Sequence, residues 1–484
     1  MKDIVFVQQY ALPYFGIMSL NAWLGRSGLS ADVLIDALEE DLIEAIKRLR
    51  PKLIGFSIFS TEHSWLKKTT ETVSRHFPDI PIIIGGIHAI MYAEKILEET
   101  PATLACLGDG EKVLADVLKR VSLDFPNWQE VGGIAFKGKD GKVHMGERVD
   151  LMQFRDDIVE YGDIYYRKYS SLAKDTTRHF ISGRGCPYAC SFCQNAYLRK
   201  YFKGKGVYIR QKSVNNFIKE ITSTLDHFPA KAVMFDDDLF TLNKKWLREF
   251  LALYKARVAL PFICQTRADF VDEELARMLA DAGCATIMFG IESGNEDIRT
   301  QILKKKISNE QIIRAGRMLN EHGMTVHTTN ILCLPGETME NALETVKLSI
   351  DARATLFSSG LLMLFPDTEL TESCRERGLI PADYSLKDIP ASFFFSNTLK
   401  LPDKRKIINI HYLGCLFVRF PVLFRLFKWV VRFEALRPLY YCVYLVSHVF
   451  RYKTAKRMSL LEMIRFSLRM SNAMGWFPGS RKRC

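Results

Sequence analysis

The chain has 484 residues, of which 48% are hydrophobic and 25% are charged. This composition, without a low-complexity tract or an internal repeat, excludes a disordered or repeat protein and predicts roughly two to four domains with packed cores. The formal net charge of +12 belongs to one end: residues 401–484 hold 17 Lys and Arg against 3 Asp and Glu, whereas the other 400 residues balance at −2. The basic character is therefore a property of the tail.

The N-terminal segment lacks the features of an export signal. One Lys and one Asp precede a short apolar run that Gln8 and Gln9 interrupt. The charge-free run from Ile4 to Gly25 is broken again between Pro13 and Gly16, so it predicts strand, loop and helix rather than a bilayer span. We therefore expect a cytoplasmic protein, in which clustered cysteines bind metal more often than they form disulfides.

Residues 1–125 alternate β-rich runs with helical patterns such as Ser64–Phe77. The runs are 3–7, 30–36, 53–60 and 80–86. Such alternation predicts an α/β domain with a doubly wound parallel sheet, whose ligands bind beyond the carboxyl ends of the strands. Glycines there let a large ligand approach the backbone, although a role as simple turn residues is an equally good explanation. The small or polar residues at these ends are Ser57, Ser60, Thr61, Gly85, Gly86, His88, Gly108, Gly110 and Glu111.

Residues 126–175 are predicted to connect this domain to the next. A hairpin is expected within 132–146, turning at Lys139-Asp140-Gly141, because Asp-Gly favours two-residue hairpin turns. The run 178–182 then predicts the first strand of a second domain.

Three of the eleven cysteines lie within eight residues, at Cys186, Cys190 and Cys193, directly after that strand. Thiolates are the usual ligands of iron–sulfur clusters, and three of them leave the fourth iron of a 4Fe–4S cube open. A zinc site would need a fourth Cys or His at a suitable spacing, and none follows. The other cysteines of this region stand singly in apolar runs, as small core residues do: Cys264, Cys284 and Cys333.

The spacing Cys-x-x-x-Cys-x-Phe-Cys, with Phe192 before the last cysteine, resembles the signature of the radical S-adenosylmethionine (SAM) superfamily. Further segments resemble family segments in the family order: 233–247, 263–270, 283–298, 328–338 and 364–370. The resemblance covers about residues 176–395 and implies a partial (β/α)6 barrel. Strands alternating with helices, expected at Asp272–Ala282 and Asn309–His322, would alone support only some α/β barrel. One departure is Cys333, at a position that is usually Gly.

The resemblance also implies a cofactor site. SAM would bind the open iron, and one electron from the cluster would cleave it to a 5′-deoxyadenosyl radical. Arg267 would pair with the SAM carboxylate, whereas Asp236–Asp238 cannot all face one site, because alternate strand residues point to opposite faces. A purely structural role is the alternative for each single polar residue. The implied SAM contacts are Phe192, Asp236, Asp238, Arg267, Glu292 and Ser293.

The N-terminal pattern resembles the cobalamin-binding domain that precedes many radical SAM barrels. The resemblance rests on GGIH (85–88) and GDGE (108–111), each after a predicted strand. It implies that the strand-end residues named above contact cobalamin. The loop 8–16 lacks the Asp-x-His-x-x-Gly motif that supplies a histidine to cobalt, so no lower histidine ligand is expected from it. His88 is then a contact to the corrin amides or a polar loop residue.

The region 396–484 is apolar and aromatic with regularly placed basic residues, and it is predicted to be helical. Its longest charge-free run, Pro438–Phe450, has 13 residues, too few to cross a bilayer. A helix is expected to begin at Pro421. Either it lies in the interface at the inner face of the membrane, or it caps the barrel and its basic residues are simply solvated. Its basic stripe would be Arg425, Lys428 and Arg432, with Phe424, Phe427 and Trp429 on the rest.

These features together predict a cobalamin-dependent radical SAM enzyme that methylates an unactivated carbon of an apolar small molecule, such as a polycyclic lipid or a tetrapyrrole. The alternative is ring contraction, cyclisation or oxidation without methyl transfer, as in anaerobic Mg-protoporphyrin monomethyl ester cyclases. An electron donor such as flavodoxin or ferredoxin is expected as a partner, and nucleic acid is not. An RNA methylthiotransferase would need a second cysteine set, yet the first 185 residues hold only Cys106. A non-catalytic cobalamin sensor would leave the cysteine motif without a purpose.

Overall fold

A computed structural model of the chain describes residues 1–455 except 122, 124, 125 and 161, with side chains described as far as Ser447. The chain divides into two compact units. The first contains Met1–Asp175 and Phe202–Pro229, and the second contains Thr176–Tyr201 and the described residues from Ala230 to 455. By residue 230 the chain has therefore passed between the units three times.

Strands and helices alternate through most of the chain. The strands are β1 (Lys2–Gln8), β2 (Ala31–Ile35), β3 (Pro51–Ser57), β4 (Ile82–Gly85), β5 (Leu104–Cys106), β6 (Ile134–Lys137), β7 (Val143–Met145), β8 (Thr177–Phe180), β9 (Gly183–Arg184), β10 (Arg210–Gln211), β11 (Ala232–Phe235), β12 (Phe262–Thr266), β13 (Cys284–Glu292), β14 (Thr325–Leu332) and β15 (Leu356–Leu361). The α-helices are α1 (Phe15–Arg26), α2 (Leu42–Leu49), α3 (His63–His76), α4 (Ile87–Glu99), α5 (Gly110–Arg120), α6 (Asp163–Tyr166), α7 (Ser170–Ala173), α8 (Gln194–Tyr201), α9 (Val214–His227), α10 (Lys244–Arg257), α11 (Glu273–Asp281), α12 (Asn309–Glu321), α13 (Met339–Asp351), α14 (Glu369–Glu376), α15 (Lys404–Arg419), α16 (Phe424–Val430) and α17 (Arg437–Ala455). One π-helical turn spans Ile298–Ile302.

The first unit is built on a sheet with the strand order β2-β1-β3-β4-β5-β6-β7. The first five strands are parallel, and β6 and β7 are antiparallel. Ile4, Val5 and Val7 of β1 are 0% exposed, as a strand covered on both faces requires. The doubly wound sheet is thus confirmed. Its strand order reverses between β1 and β3, and ligands of such sheets bind beyond the carboxyl ends at this point.

Residues 126–175, suggested as a connector, lie in this first unit. The hairpin is confirmed: β6 pairs with both β5 and β7, and Gly141 turns the chain with a φ of +77°. Tyr165 and Tyr169, from the short helices α6 and α7 and the turn between them, pack into the same core as β1. The Tyr165 hydroxyl donates to Gln8 Oε1 at 2.5 Å.

Residues 202–229 complete the first unit through a buried charge cluster. Lys212 is 2% exposed, and its Nζ donates to Glu160 at 3.0 Å and to Glu220 of α9 at 2.7 Å. Glu160 also accepts a hydrogen bond from Ser19 of α1 at 2.7 Å. A buried ammonium is tolerated where carboxylates pair with it, so these residues join α1, the 160 region and α9.

The second unit is a six-stranded parallel sheet in the order β15-β14-β13-β12-β11-β8. This confirms the partial (β/α)6 barrel. Phe235 and Phe262 pack against Tyr254 of α10, so they point outward to the helices. Because side chains alternate along a strand, Met234 and Asp236 belong to the inner face.

The helices of the barrel begin at capping residues that the sequence supplies. Asp272 accepts from Leu275 N at the start of α11, and Ser308 forms a reciprocal capping pair with Gln311 at the start of α12. Such caps satisfy backbone donors that have no partner within the helix. Both helices lie within one residue of their predicted bounds.

The C-terminal helices are partly a cap on the barrel. α15 packs on β15 and α13, and its Ile410 and Phe417 are 0% exposed. Phe424 and Phe427 pack on Phe417, with ring centroids 6.4 and 4.1 Å away, so these two rings contribute to the contact between α16 and α15. The predicted stripe is also interrupted, because α16 ends at Val430, before Arg432.

No described helix has the length and hydropathy needed to cross a bilayer. The part of the predicted helical region beyond residue 455 lies outside the described residues.

Candidate functional sites

The three clustered cysteines lie on one loop between β9 and α8, in the second unit. Each thiol is half-buried, and none is in a disulfide. Burial raises the pKa of all three thiols, that of Cys193 to about 11. The nearby cations Lys305 and Arg267 act in the opposite direction on the pKa of Cys190. The loop therefore combines desolvated sulfur with positive charge, which favours thiolate ligands once a metal replaces the protons.

The number of cysteines on the loop fits an iron–sulfur cluster with one open iron. Within the described residues, no three Cys, His, Asp or Glu side chains converge on one metal position. In a 4Fe–4S cluster each cysteine binds a different iron, so the ligands surround a volume rather than a point. The loop supplies three thiols, whereas a structural zinc ion needs four convergent ligands.

The cysteine loop is fastened to the segment that follows the π-helical turn. Ser191 donates through its backbone N to Leu303 O at 3.1 Å and through its hydroxyl to Ile302 O at 2.6 Å. Within the loop, Cys193 N donates to Cys190 O at 3.0 Å. These bonds hold the loop without using any thiol.

The three adjacent carboxylates after β11 have three different partners, as strand alternation predicts. Asp236 is joined to His179 Nδ1 at 2.7 Å. Asp237 accepts from the Ser182 hydroxyl at 2.6 Å, and Asp238 accepts from Asn195 Nδ2 of α8 at 3.0 Å. Asp238 is thus the carboxylate that reaches the cysteine loop, and its charge adds to the rise in the pKa values of Cys186 and Cys193.

Arg267 lies beside the cysteine loop, but its guanidinium is already engaged. It forms two hydrogen bonds to Asp269, both of 3.0 Å, and lies 3.5 Å from the ring centroid of Tyr188. Tyr188 stands between Cys186 and Cys190 in the sequence. One fork of the guanidinium is therefore occupied by Asp269, and any contact to SAM would use one of the three other N–H groups.

Glu292 and Ser293 end β13 in a strained turn. Glu292 has a φ of +64°, which is costly for a residue other than glycine. Its carboxylate accepts from Lys305 Nζ at 2.8 Å, and a Cβ on Gly290 would lie 1.9 Å from the same carboxylate. Ser293 is 0% exposed, and within the described residues its hydroxyl has no hydrogen-bond partner. A buried hydroxyl of this kind fits a polar ligand such as SAM.

Several polar residues of this region gave no sequence signal. Lys305 lies in a run of three lysines, and His179, Gln265 and His327 are single polar residues within strands. His327 Nε2 is 2.7 Å from the Ser358 hydroxyl of the neighbouring strand. His179 pairs with Met234 of β11, so it lies on the same inner face as Asp236, but the sequence alone does not give this pairing.

In the first unit, the carboxyl ends of β3 and β4 form one end of the sheet. This surface, around Gly86, is called the edge here. Ser57 and Gly85 end these strands half-buried, and Gly86 follows with a φ of +88°. A Cβ on Gly86 would lie 2.7 Å from Ile58 O, so only glycine fits. Phe59, next to Ser60, is 49% exposed. An exposed aromatic ring beside a glycine fits a large cofactor with an apolar face.

His88 does not face this edge with a free nitrogen. It is 0% exposed, its Nδ1 is 3.1 Å from the Ser60 hydroxyl and its Nε2 is 3.0 Å from His63 Nδ1. His63 Nε2 in turn lies 3.0 Å from Glu99. Burial, with the charge of His63, lowers the pKa of His88 to about 3. Both ring nitrogens of His88 are thus engaged with side chains of the first unit.

The GDGE segment is divided between the edge and the core. Gly108 and Gly110 are half-buried, whereas Glu111 is 5% exposed and accepts from the Ser19 hydroxyl at 2.8 Å. Asp109 pairs with Arg210. The two carboxylates therefore anchor the start of α5, and the glycines and Thr61, also half-buried, stay at the surface of the edge.

Family models match both units of the chain. Residues 1–118 match the B12 binding domain, and residues 180–349 match the radical SAM superfamily. The second match contains the cysteine loop and Glu292, and the first contains the edge around Gly86.

Individual proteins resemble the chain over most of its length. The anaerobic magnesium-protoporphyrin IX monomethyl ester cyclase of Rubrivivax gelatinosus is 24% identical over 74% of this chain and 65% of its own. The cytidylyl-2-hydroxyethylphosphonate methyltransferase of Streptomyces wedmorensis is 23% identical over 72% of this chain and 71% of its own. The cobalamin-dependent SAM radical enzyme OxsB, solved with aqua-cobalamin and SAM, superposes with a TM-score of 0.68 at 17% identity, over 98% of this chain and 76% of that one. The chain thus spans slightly less than two thirds of the cyclase.

Proposed function

Because this chain is a radical SAM enzyme with a B12 binding domain, we propose that it methylates an unactivated carbon of a small molecule. The observation that carries the proposal is the presence, in one chain, of a cluster-compatible cysteine loop beside Glu292 and of an open sheet edge around Gly86. When bound, the cluster and SAM supply a 5′-deoxyadenosyl radical, and cobalamin supplies the methyl group.

The protein's part is to hold and orient these groups. Cys186, Cys190 and Cys193 would bind three irons and leave the fourth open to the amino and carboxylate groups of SAM. The Glu292 carboxylate would accept a hydrogen bond from the SAM amino group or ribose. The unpartnered hydroxyl of Ser293 would donate to, or accept from, the same groups. The further SAM contacts would be Phe192, Asp236, Asp238 and Arg267.

The cobalamin contacts would lie at the edge of the first sheet. Gly85, Gly86, Gly108 and Gly110 would let the corrin approach the backbone, with Ser57 and Thr61 as hydrogen-bonding partners. Three of the predicted contacts have buried side chains, so they would support this surface rather than touch the corrin: Ser60, His88 and Glu111.

The alternative is a radical ring contraction, cyclisation or oxidation without methyl transfer. The cyclase relative supports it, since its name describes a ring closure. The two outcomes differ in mass, because methylation adds one methyl group to the product and the alternative does not.

The substrate we propose is apolar and is reached at a membrane surface. Of the apolar side chains that are exposed in the described residues, nine lie between residues 420 and 446. We call this set the tail patch: Phe420, Val422, Leu423, Leu426, Trp429, Phe433, Leu436, Leu439 and Val446. Basic residues such as Arg425 and Lys428 lie among them. Exposed apolar and basic residues together are typical of binding to an anionic membrane interface, here the inner face.

Anaerobic reconstitution tests the proposed chemistry. The protein should bind about four irons per chain and, with a reductant such as reduced flavodoxin or ferredoxin, cleave SAM to 5′-deoxyadenosine. Changing the three clustered cysteines to Ala should abolish both, whereas Cys442→Ala, which removes an exposed cysteine of α17, should keep both. With an apolar metabolite extract and hydroxocobalamin, mass spectrometry should find a product heavier by one CH2 unit, since the methyl group replaces a hydrogen atom. SAM cleavage by the triple variant would contradict the radical assignment, and a product without added mass would favour the alternative.

A further inference from the structure

Lys305 is a buried cation beside the proposed SAM site. It is the middle residue of Lys304-Lys305-Lys306, in which the outer two side chains are exposed and Lys305 is 6% exposed. Its Nζ donates to Glu292 Oε1 at 2.8 Å and to Gly290 O at 2.7 Å. A lysine gives up its hydration in this way only where fixed acceptors replace the water.

Lys305 is also connected to the cysteine loop. Its neighbours Ile302 and Leu303 accept the two hydrogen bonds from Ser191, which lies between Cys190 and Cys193. The short segment 302–305 therefore contacts the cysteine loop at one end and the Glu292 carboxylate at the other.

The local backbone is built around this lysine. Glu292 adopts a positive φ of +64°, and Gly290 leaves the space that Lys305 Nζ and the Glu292 carboxylate fill. A Cβ at Gly290 would lie 2.7 Å from the Nζ. A strained residue persists where its surroundings fix it, and here the ion pair to Lys305 is one of the fixing contacts.

We propose that Lys305 is a positioning residue of the radical site, which holds the Glu292 carboxylate toward SAM and adds one positive charge beside the cluster. The inference rests on the proposed function and adds a residue to it. Buried ion pairs are on average no more stabilising than apolar residues of the same size, so a role in the fold alone would not require a cation here. A cation near the thiolates favours the more negative, reduced form of the cluster, so it raises the reduction potential.

Lys305→Met tests the proposal, with Lys306→Met as the matched control. The Met side chain keeps the length but loses the charge and the hydrogen bonds. In reconstituted holoprotein, an EPR redox titration should give a lower cluster potential for the Lys305 variant, and SAM affinity should fall by about tenfold, since one charge-assisted hydrogen bond orients Glu292. Lys306→Met should match the wild type in both. Wild-type potential and SAM affinity in Lys305→Met would overturn the proposal.

If Lys305→Met fails to bind iron, a second pair of variants tests the proposal. Glu292→Gln leaves the ammonium uncompensated, so its cluster potential should rise while its SAM affinity falls. Lys305→Arg keeps the charge and should restore the potential. A Glu292→Gln variant with an unchanged potential would overturn the proposal. The measurements need neither substrate nor cobalamin, so an error in the methylation assignment leaves them intact, whereas a wild-type protein without a cluster would contradict the proposed function itself.

Discussion

Single residues in this protein are informative mainly where they break a local rule. Cys333 stands at a position where the family resemblance suggests glycine, and the structure gives the reason: its φ is +60° and it is 0% exposed. The cysteine loop was predictable from the spacing of its cysteines. That Asp236, Asp237 and Asp238 do not share one site was predictable from the alternation of side chains along a strand. The partners of His88 and Lys305 were not, since they come from residues that are far away in the chain and meet only after folding.

Gly86 shows how a backbone position controls a proposed binding edge. Gly86→Ala should lower the free energy of unfolding by more than Gly28→Ala does. Both glycines have positive φ values, +88° and +73°, so both variants lose roughly 1–2 kcal/mol. Only at Gly86 does the new Cβ also meet backbone atoms, 2.7 Å from Ile58 O, whereas nothing lies within 4 Å at Gly28. Urea unfolding would measure the difference, and hydroxocobalamin binding should weaken in the Gly86 variant alone. Equal effects of the two variants would argue against a tight edge.

At the scale of elements, strands and helices were predictable to within about three residues at each end, and their ends depended on contacts. The strand 53–60 was expected to reach further than β3, which ends at Ser57, because Ser60 begins a short helical turn. α16 ends at Val430, two residues before the last basic residue of the predicted stripe, and its Phe424 and Phe427 pack on α15. Apolar periodicity indicates that a helix has a buried face, but it does not identify which neighbour buries it.

The loop after β14 should give the protein a pH-dependent stability. Burial raises the pKa of Glu337 to about 8 from 4.5, although Leu334 N donates to its carboxylate at 3.1 Å. The folded state therefore keeps a proton that the unfolded state releases above pH 4.5, so this group's contribution is present below pH 4.5 and is lost as the pH rises toward 8, by at most about 1.4 kcal/mol per pH unit.

Glu337→Gln should remove this slope, because an amide mimics the protonated carboxyl at every pH. Relative to wild type, the variant should gain stability steadily between pH 5 and pH 8 in urea unfolding. Glu340→Gln, in the exposed first turn of α13, should run parallel to wild type. Parallel curves for Glu337→Gln as well would show that this carboxyl is ionised in the folded protein.

For the whole molecule, composition located the basic charge in the tail, and the sequence left two roles for it. The structure shows that one part of the tail covers the barrel, while the tail patch is exposed. Which aromatic residues belong to which part could not be predicted, because Phe417, Phe427 and Trp429 occur in similar apolar, basic surroundings. Only the packing of α15 on β15 separates them.

Two variants should separate the cap from the proposed membrane contact. Phe417→Ala removes a 0% exposed ring and should cost about 3–5 kcal/mol of stability. Trp429→Ala, at a residue 60% exposed, should leave stability nearly unchanged but weaken co-sedimentation with anionic vesicles. The wild-type protein should bind anionic vesicles more than neutral ones. This binding should fall with added salt, which screens exposed charge. A wild-type protein that stays in the supernatant with both vesicle types would exclude the membrane proposal.

The path of the chain between the two units affects the order in which they are completed during synthesis. The first unit needs residues 202–229, and Glu160 meets Lys212 only when that segment has been made. The cysteine loop is translated earlier, so it leaves the ribosome while the first unit still lacks its last helix. Domains generally fold as units as they emerge. The loop is held by Ile302 and Leu303, however, which are translated after residue 229. In the cell the first unit, with its place for cobalamin, can therefore be complete before the cluster site is, although the three cysteines emerge earlier.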